Sequence, residues 1–241
     1  MPEPLTVAAA QPPCVSYDVA ANAIQHAAAV RSAGARVVVF PELSLTGYEL
    51  DAAGVAVDDP RLGPIVEACA ETGSVALVGA PVNGDGDRPH IAMLAVDGTG
   101  AAVAYRKMWL HGAESDHFSP GGEPALLEVD GWRLGLAICR DTGFPQHASE
   151  TAALDVDAYV VGILEAVADA AVLDERARRV AADHGLWVVM ASFAGSTGGG
   201  FDHAAGRSGI WTSDGVAIAR AGPEPGALAR ATLSNTIHPW R

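Results

Sequence analysis

The chain has 241 residues, of which 49% are hydrophobic, so it can bury one sizeable core. Its net charge of −14 argues against binding to nucleic acid, which requires a basic face, and against attraction to an anionic membrane surface. No apolar run resembles a signal peptide or approaches the roughly 18 residues of a membrane-spanning helix, so we expect a cytoplasmic protein.

Short apolar runs rich in β-branched residues alternate with alanine-rich helical stretches along the whole chain. The predicted strands are 5–10, 36–40, 75–79, 91–96, 101–105, 134–138, 158–162 and 186–191, with weaker ones at 208–212, 217–220 and 228–233. The predicted helices are 17–33, 61–71, 145–154 and 169–184, the last with Asp169 as N-cap and Gly185 just past its end. This alternation predicts an α/β protein whose sheets are covered by helices. Because no repeat or linker divides the chain, residues 1–241 are expected to form a single domain.

Three widely spaced cysteines, Cys14, Cys69 and Cys139, are an odd number and fit neither a disulfide framework nor a zinc pattern. This usage is typical of a reducing compartment. We expect Cys14 and Cys69 to be buried and inert.

Three polar residues stand at the ends of predicted apolar strands. Glu42 and Lys107 each lie two residues past a strand, and Cys139 follows another strand directly. In open α/β sheets, ligands bind beyond the carboxyl ends of the strands, so these side chains share one pocket if the strands are neighbours. Lys107 is also the one lysine beside fourteen arginines, which reflects either chance or a position that needs a compact ammonium rather than a planar guanidinium.

These residue types suit nucleophilic attack on an amide carbonyl. Glu42 can take the thiol proton of Cys139 as attack begins, and the ammonium of Lys107 favours the negative charge that develops. The backbone N–H of Arg140, which follows the nucleophile, is the natural second donor to the oxyanion. Taken one at a time, each residue has a structural alternative: an inert strand-end cysteine, a glutamate that caps a helix, and a solvated lysine.

Four segments resemble the motifs of the nitrilase superfamily of carbon–nitrogen hydrolases, in the order found there. Residues 40–48 read FPELSLTGY, like the motif of the catalytic base, and residues 105–107 read YRK, like the lysine motif. Residues 114–121 fit the pattern E-x-x-x-F-x-P-G of a second glutamate, and GLAICRD at 135–141, followed by Phe-Pro, resembles the cysteine turn. The similarity extends from residue 7 to about residue 233.

The resemblance implies a four-layer αββα sandwich, with two mixed sheets flanked by helices. It implies a thioester intermediate on Cys139, proton transfer by Glu42, oxyanion stabilisation by Lys107, and orientation of the substrate or the lysine by Glu114. No metal or organic cofactor is implied. A homodimer is expected because members of the family are commonly dimers or larger.

The chain departs from the usual pattern at four positions. These are Trp109, Arg140, Gln146 and Ser192, where the family usually has His, Tyr or Asn, Glu, and Asn respectively. Each of them would line or support the pocket, so the departures bear on the substrate rather than on the reaction.

Further side chains are candidates for substrate binding. Trp109, Phe144 and Phe193, together with Arg140, are predicted to shape the pocket, although each aromatic ring could equally belong to the core. His111 and His117 lie near Glu114 but lack a matched third ligand, so we expect no metal. The glycine-rich loop at 196–200 leads to no predicted helix, which argues against a phosphate cradle.

The function predicted from these features is hydrolysis of a small aliphatic or amino-acid-derived primary amide, with no nucleic-acid or membrane partner. A nitrilase, an N-carbamoyl-amine hydrolase or an acyltransferase would use the same three residues. A non-catalytic member that kept the fold for binding is the alternative from another class.

Overall fold

The computed structural model describes residues 2–84 and 86–234. The strands are β1 Leu5–Ala10, β2 Val37–Val39, β3 Val75–Val82, β4 His90–Asp97, β5 Gly100–Arg106, β6 Ala125–Val129, β7 Trp132–Ile138, β8 Ala158–Ile163, β9 Trp187–Ser192, β10 Ala194–Gly195, β11 Ala204–Ala205, β12 Gly209–Trp211, β13 Ala217–Arg220 and β14 Leu228–Leu233. The helices are α1 Val19–Ala33, α2 Gly63–Thr72, α3 Glu114–His117, α4 Pro145–Ala152 and α5 Ala171–His184.

The larger strands form two six-stranded mixed sheets. The first has the order β14-β1-β2-β3-β4-β5, and the second has the order β13-β12-β9-β8-β7-β6. In each sheet three central strands run parallel, β1-β2-β3 in one and β7-β8-β9 in the other, and antiparallel strands flank them. The parallel strands read as continuous apolar runs, such as Val37–Val39, because they are covered on both faces.

Three apolar layers hold the sandwich together. The central layer lies between the two sheets and includes Val37, Leu77, Leu134, Val160 and Val189. The outer layers pack α1 and α2 on the first sheet, and α4 and α5 on the second. The predicted αββα architecture is therefore confirmed.

The predicted strands and helices are present, with boundaries that coincide with the prediction or differ from it by one to three residues. Gly185 ends α5 as predicted, in the left-handed conformation at φ 66°, and its N–H donates to the carbonyl of Ala181. The N-cap prediction for Asp169 is wrong, because α5 begins at Ala171 with Ala170 as its cap and Asp169 lies in the preceding 3-10 turn.

Strand β6 and the single turn α3 were absent from the sequence prediction. β6 is an edge strand whose residues are mostly half-buried, so it lacks the strong apolar run that marks the other strands. Helix α3 has four residues, too few to show a helical period.

No helix in the described part of the chain is long and apolar enough to cross a membrane. The predicted single domain includes residues 1, 85 and 235–241, which lie outside the described ranges, so that boundary stays a prediction.

Candidate active site

The turn that carries Glu42 is wedged between the two sheets. It follows β2, and two glycines from opposite sheets pass directly against its backbone. A Cβ added at Gly79 in β3 would lie 2.4 Å from the carbonyl oxygen of Pro41, and one at Gly162 in β8 would lie 2.7 Å from that of Phe40. Both strands therefore need glycine for the turn to come so close.

Lys107 follows β5 and is completely buried, with 0% of its surface exposed. Its Nζ lies 2.6 Å from Oε1 of Glu42 and 2.8 Å from each carboxylate oxygen of Glu114. The ammonium thus lies between two buried carboxylates, which offset the cost of removing it from water.

Glu114 is held from both sides. The hydroxyl of Tyr48 donates to its Oε1 at 2.5 Å, and the backbone N–H of His111 donates to its Oε2 at 2.7 Å. The short helix α3 presents the carboxylate at the position where these donors and Lys107 converge.

Cys139 follows β7 at the start of a 3-10 turn, Cys139–Gly143, and its backbone has a φ of +43°. A non-glycine residue in this region is strained, and such strain is typical of positions where a side chain must be presented to a ligand. The residue as a whole is half-buried, and its Sγ lies 3.6 Å from the carbonyl oxygen of Leu164. Oε2 of Glu42 has no hydrogen-bond partner among the described residues, so it is a second acceptor available to the thiol.

Asp141, two residues after Cys139, connects the 3-10 turn that carries Cys139 to the segment after β5 that carries Lys107. Its Oδ2 accepts from the N–H of Ile138 at 2.9 Å and from the hydroxyl of Tyr105 at 2.7 Å. Its Oδ1 accepts from the N–H of Trp109 at 2.9 Å and from that of Met108 at 3.2 Å. From the sequence, Asp141 is identified only as part of the cysteine motif. Its hydrogen bonds to Tyr105 and Trp109 could not be predicted, because those residues are more than 30 positions away in the chain.

Behind Asp141, a buried histidine completes the network. The ring of His147 lies between two tyrosine hydroxyls, with Nε2 2.8 Å from Tyr105 and Nδ1 2.7 Å from Tyr159. Burial lowers the pKa of His147, although the charge of Asp141 opposes the shift, so the ring is neutral and acts as a hydrogen-bonding spacer.

Burial and charge together set the protonation of the central groups. Burial raises the pKa of Glu42 to about 7, although the charge of Lys107 opposes the rise. Burial and the charge of Glu42 raise the pKa of Cys139 well above its ordinary value, so the thiol is neutral at rest. Burial lowers the pKa of Lys107, but the charges of Glu42 and Glu114 outweigh it and raise the pKa overall, so the ammonium stays charged.

These groups meet at a cavity of about 300 Å³. Its lining residues are Glu42, Tyr48, His111, Glu114, Cys139, Arg140, Leu164, Glu165, Ala166, Asp169, Arg176 and Phe201. We call the lining residues Glu42 and Glu114, together with Lys107 that is buried between their carboxylates, the floor of the cavity, and Glu165 with Arg176 its wall. Sequence reasoning missed the wall, because Glu165 lies at a strand end like the predicted residues but belongs to no motif.

The three strands that precede the predicted residues are not neighbours. β2 and β5 share a sheet but are separated by β3 and β4, and β7 belongs to the other sheet. The side chains meet because both sheets deliver their strand ends to one end of the sandwich.

The predicted substrate-binding residues lie at different distances from the cavity. Arg140 lines it, while its guanidinium lies 5.5 Å from the ring centre of Phe144. Phe144 stacks on Trp109 with 5.2 Å between the ring centroids, and neither ring is among the lining residues. Phe193 is completely buried behind the lining residues Leu164 and Phe201, so it supports the cavity from the core.

His111, His117 and Glu114 are the residues for which the sequence analysis weighed a metal site and predicted none. His111 lines the cavity. Within residues 2–84 and 86–234, no group of three or more His, Cys, Asp or Glu side chains is arranged to hold a metal ion.

Comparison with known proteins identifies the family. A sequence profile described as Carbon-nitrogen hydrolase matches residues 6–241. The chain belongs to the carbon–nitrogen hydrolase family. The predicted membership of the nitrilase superfamily is therefore confirmed.

Two curated relatives differ in how far they match. A Pseudomonas protegens protein named "Hydrolase in pqqF 5′ region" is 32% identical, over 97% of this chain and 84% of its own length. An (R)-stereoselective amidase from a Pseudomonas species is 29% identical over 52% of this chain, and the match spans about half, 47%, of that relative.

Solved structures share the fold. XC1258 from Xanthomonas campestris, described as a CN-hydrolase superfamily protein with an arsenic adduct in its active site, has a TM-score of 0.85 at 20% identity, covering 97% of this chain and 91% of that one. The amidase from Nesterenkonia sp. AN1, in a cysteine variant bound to butyramide, has a TM-score of 0.82 at 24% identity, covering 95% and 90%.

Proposed function

We propose that the protein hydrolyses a small primary amide, aliphatic or derived from an amino acid, to its carboxylic acid and ammonia. The observation that carries this proposal is the buried group of Glu42, Lys107 and Glu114 beside Cys139, at the floor of a cavity of about 300 Å³. That volume is at the lower end of the roughly 300–1,000 Å³ found for small-molecule sites, which favours a small substrate. The butyramide-bound amidase of the same fold supports this size class.

In the first half of the reaction, Sγ of Cys139 attacks the amide carbonyl while its proton passes to Oε2 of Glu42. The carbonyl oxygen becomes an oxyanion, which Nζ of Lys107 and the N–H of Arg140 stabilise. As the tetrahedral intermediate collapses, Glu42 returns the proton to the departing nitrogen. The carbon–nitrogen bond breaks, ammonia leaves, and a thioester remains on Cys139.

In the second half, a water molecule takes the place of ammonia. Glu42 accepts a proton from it, and the resulting hydroxide attacks the thioester carbonyl. Collapse of the second tetrahedral intermediate breaks the carbon–sulfur bond and releases the carboxylic acid, and the proton returns from Glu42 to Cys139. A carboxyl whose pKa is about 7 can both accept and release a proton near neutral pH.

Lys107 serves as a fixed positive charge in this scheme. Its raised pKa keeps the ammonium protonated throughout, and Glu114 holds it in place with two hydrogen bonds of 2.8 Å. Glu114 is therefore proposed as a positioning residue for Lys107.

A panel of substrates tests the proposal. Primary amides, nitriles and N-carbamoyl amino acids are incubated with the protein and scored by ammonia release. We expect turnover of small primary amides. Turnover of nitriles alone would indicate a nitrilase, and turnover of N-carbamoyl amino acids alone would indicate an N-carbamoyl-amine hydrolase. Acyl products formed with added hydroxylamine would indicate an acyltransferase.

A covalent adduct tests the nucleophile and the non-catalytic alternative. After mixing with a reactive ester, intact-protein mass spectrometry should show one acyl group, absent in Cys139→Ala and retained in the matched control Cys14→Ala. Burial raises the pKa of Cys14 to about 12, so its thiol is not expected to react. An unmodified wild-type protein would favour a binding role.

The homodimer and the cytoplasmic location stay predictions. Light scattering on the purified protein measures the assembled mass and tests the first of these.

A further inference from the structure

The wall of the cavity holds a further carboxylate, that of Glu165, near Cys139. β8 ends at Ile163, and the carbonyl of the next residue, Leu164, lies 3.6 Å from Sγ of Cys139. Glu165 follows directly and lines the cavity. Glu165 therefore lies next in the chain to the residue whose carbonyl contacts Sγ, in the lining of the same cavity. Its charge also contributes to the raised pKa of Cys139, after burial and the charge of Glu42.

Glu165 is held in place by Arg176 of α5. Nη1 of Arg176 donates to Oε1 of Glu165 at 2.9 Å and lies 3.2 Å from Oγ1 of Thr142. The same Thr142 hydroxyl donates to the carbonyl oxygen of Cys139 at 2.6 Å. Arg176 therefore ties the carboxylate to the turn that carries the predicted nucleophile.

One oxygen of Glu165 is left for a ligand. Oε1 is engaged by Arg176, whereas Oε2 has no hydrogen-bond partner within the described ranges. The side chain is only 14% exposed, so water compensates its charge poorly. Burial raises the pKa of Glu165, with the charge of Arg176 opposing the rise, and a cationic ligand would restore the compensation that burial removes.

The charges around the cavity favour a positive ligand. On the floor, the two carboxylates of Glu42 and Glu114 face the single ammonium of Lys107. On the wall, Arg176 and Glu165 balance each other. Arg140 and Asp169 also line the cavity, so the carboxylates of Glu42, Glu114, Glu165 and Asp169 outnumber the cations of Lys107, Arg140 and Arg176.

We propose, on the basis of the amide hydrolysis proposed above, that Glu165 selects amides with an ammonium group on the carbon next to the carbonyl. The preferred substrates are thus α-amino acid amides, whose ammonium donates to Oε2 of Glu165 while Sγ of Cys139 attacks the adjacent carbonyl. Arg176 is a positioning residue that fixes the carboxylate.

Two substrates of equal shape test this selection. 2-Aminobutanamide and 2-methylbutanamide differ only in an ammonium that replaces a methyl group. At about pH 7 the amine is charged, because α-amino groups have pKa values of about 7.7–8.0. We expect the wild-type kcat/KM to be at least about 10-fold higher for the amino compound, since a charge-assisted hydrogen bond is made with it alone. A ratio of one or less overturns the proposal.

The variant Glu165→Gln keeps the shape of the side chain and removes its charge. We expect the ratio of the two kcat/KM values to fall toward one. The matched control is Glu175→Gln, the same change at an exposed neighbour on α5 that does not line the cavity, and its ratio should stay at the wild-type value. An unchanged ratio in Glu165→Gln, or an equal fall in Glu175→Gln, contradicts the assignment.

A binding measurement separates this proposal from the proposed function. Calorimetry on the Cys139→Ala protein compares the affinities for the two amides without turnover. If wild-type protein hydrolyses neither amide, the hydrolysis proposal fails. A preference of Cys139→Ala for the amino compound would then still support the ammonium site, and equal affinities would remove it.

Discussion

The floor of the cavity and its wall both hold carboxylates near Cys139, but their surroundings differ. On the floor, Lys107 is 0% exposed and makes short contacts with Glu42 and Glu114. On the wall, the side chains of Glu165 and Arg176 are 14% and 23% exposed, and they meet through a single ion pair of 2.9 Å. The buried floor holds its charges in one arrangement that suits one reaction. On the partly exposed wall, Glu165 can accept a further hydrogen bond from a ligand beside the one from Arg176.

The difference predicts that the floor tolerates even conservative substitutions poorly. Lys107→Arg should lower kcat by at least about 10³-fold, because the planar guanidinium cannot occupy the space of an ammonium enclosed by two carboxylates. We expect the protein to remain folded, as judged by circular dichroism, while ammonia release is lost. Arg106→Lys, at the exposed position next to it, is the matched control and should stay within about twofold of wild type. Near-normal turnover in Lys107→Arg would show that the floor does not require an ammonium at this position, and the proposed difference between floor and wall would then fail.

The support beneath the floor can be tested at Asp141. Asp141→Asn replaces an oxygen acceptor by an NH₂ donor, which leaves at least one of the donors from Ile138, Trp109, Met108 and Tyr105 unpaired. We expect kcat to fall by about 10²-fold and the free energy of unfolding to fall by about 1–3 kcal/mol. Tyr105→Phe removes one hydroxyl only and should have a smaller effect on both quantities. If Asp141→Asn raises KM and leaves kcat unchanged, Asp141 does not position the floor.

Much of the floor, together with Cys139, could be predicted from the sequence. Glu42, Lys107 and Cys139 each stand at or just past a strand end, and each belongs to a motif that can be read in the sequence. Glu114 also belonged to a motif. The strand positions were predicted because buried parallel strands read as unbroken apolar runs.

The rest could not be predicted because it depends on contacts between distant segments. The sequence shows that Gly79 and Gly162 are glycines, but only the packed sheets reveal that both press on the turn of Glu42. Phe193 was predicted to bind substrate from its aromatic type, yet packing places it behind the lining. Glu165 and Arg176 are eleven residues apart with no motif around them, and their pairing follows from where α5 lies on the second sheet.

The glycines offer a way to move the floor without touching its charges. Gly79→Ala would place a Cβ 2.4 Å from backbone atoms of the turn at 41–43, so the turn and Glu42 must shift. We expect kcat to fall by about 10-fold and the free energy of unfolding to fall by about 1–3 kcal/mol. Gly63→Ala is the matched control, since no atom lies within 4 Å of the added Cβ and its backbone is helical. Equal kinetics for the two variants would show that the position of Glu42 does not depend on this contact.

The smallest expected effect concerns which carboxylate controls the pH dependence. The pKa of Glu42 is about 7, raised by burial, and the base must be ionised to accept the thiol proton. With 2-methylbutanamide, which does not titrate, kcat/KM should therefore fall by roughly fivefold between about pH 7 and about pH 6. Glu165→Gln should leave the midpoint of this fall in place. A midpoint that moves with Glu165 would assign the titrating group to the wall.

The same shift has an opposite consequence for stability. Between about 4.5 and 7 the unfolded chain has already released the Glu42 proton while the folded chain retains it, so the free energy of unfolding should decrease as pH rises through this window. Chemical denaturation of wild type and Glu42→Gln at several pH values isolates this contribution, because the glutamine variant lacks the titration. If the difference between the two proteins does not change with pH, the carboxyl of Glu42 is not the group that burial holds protonated.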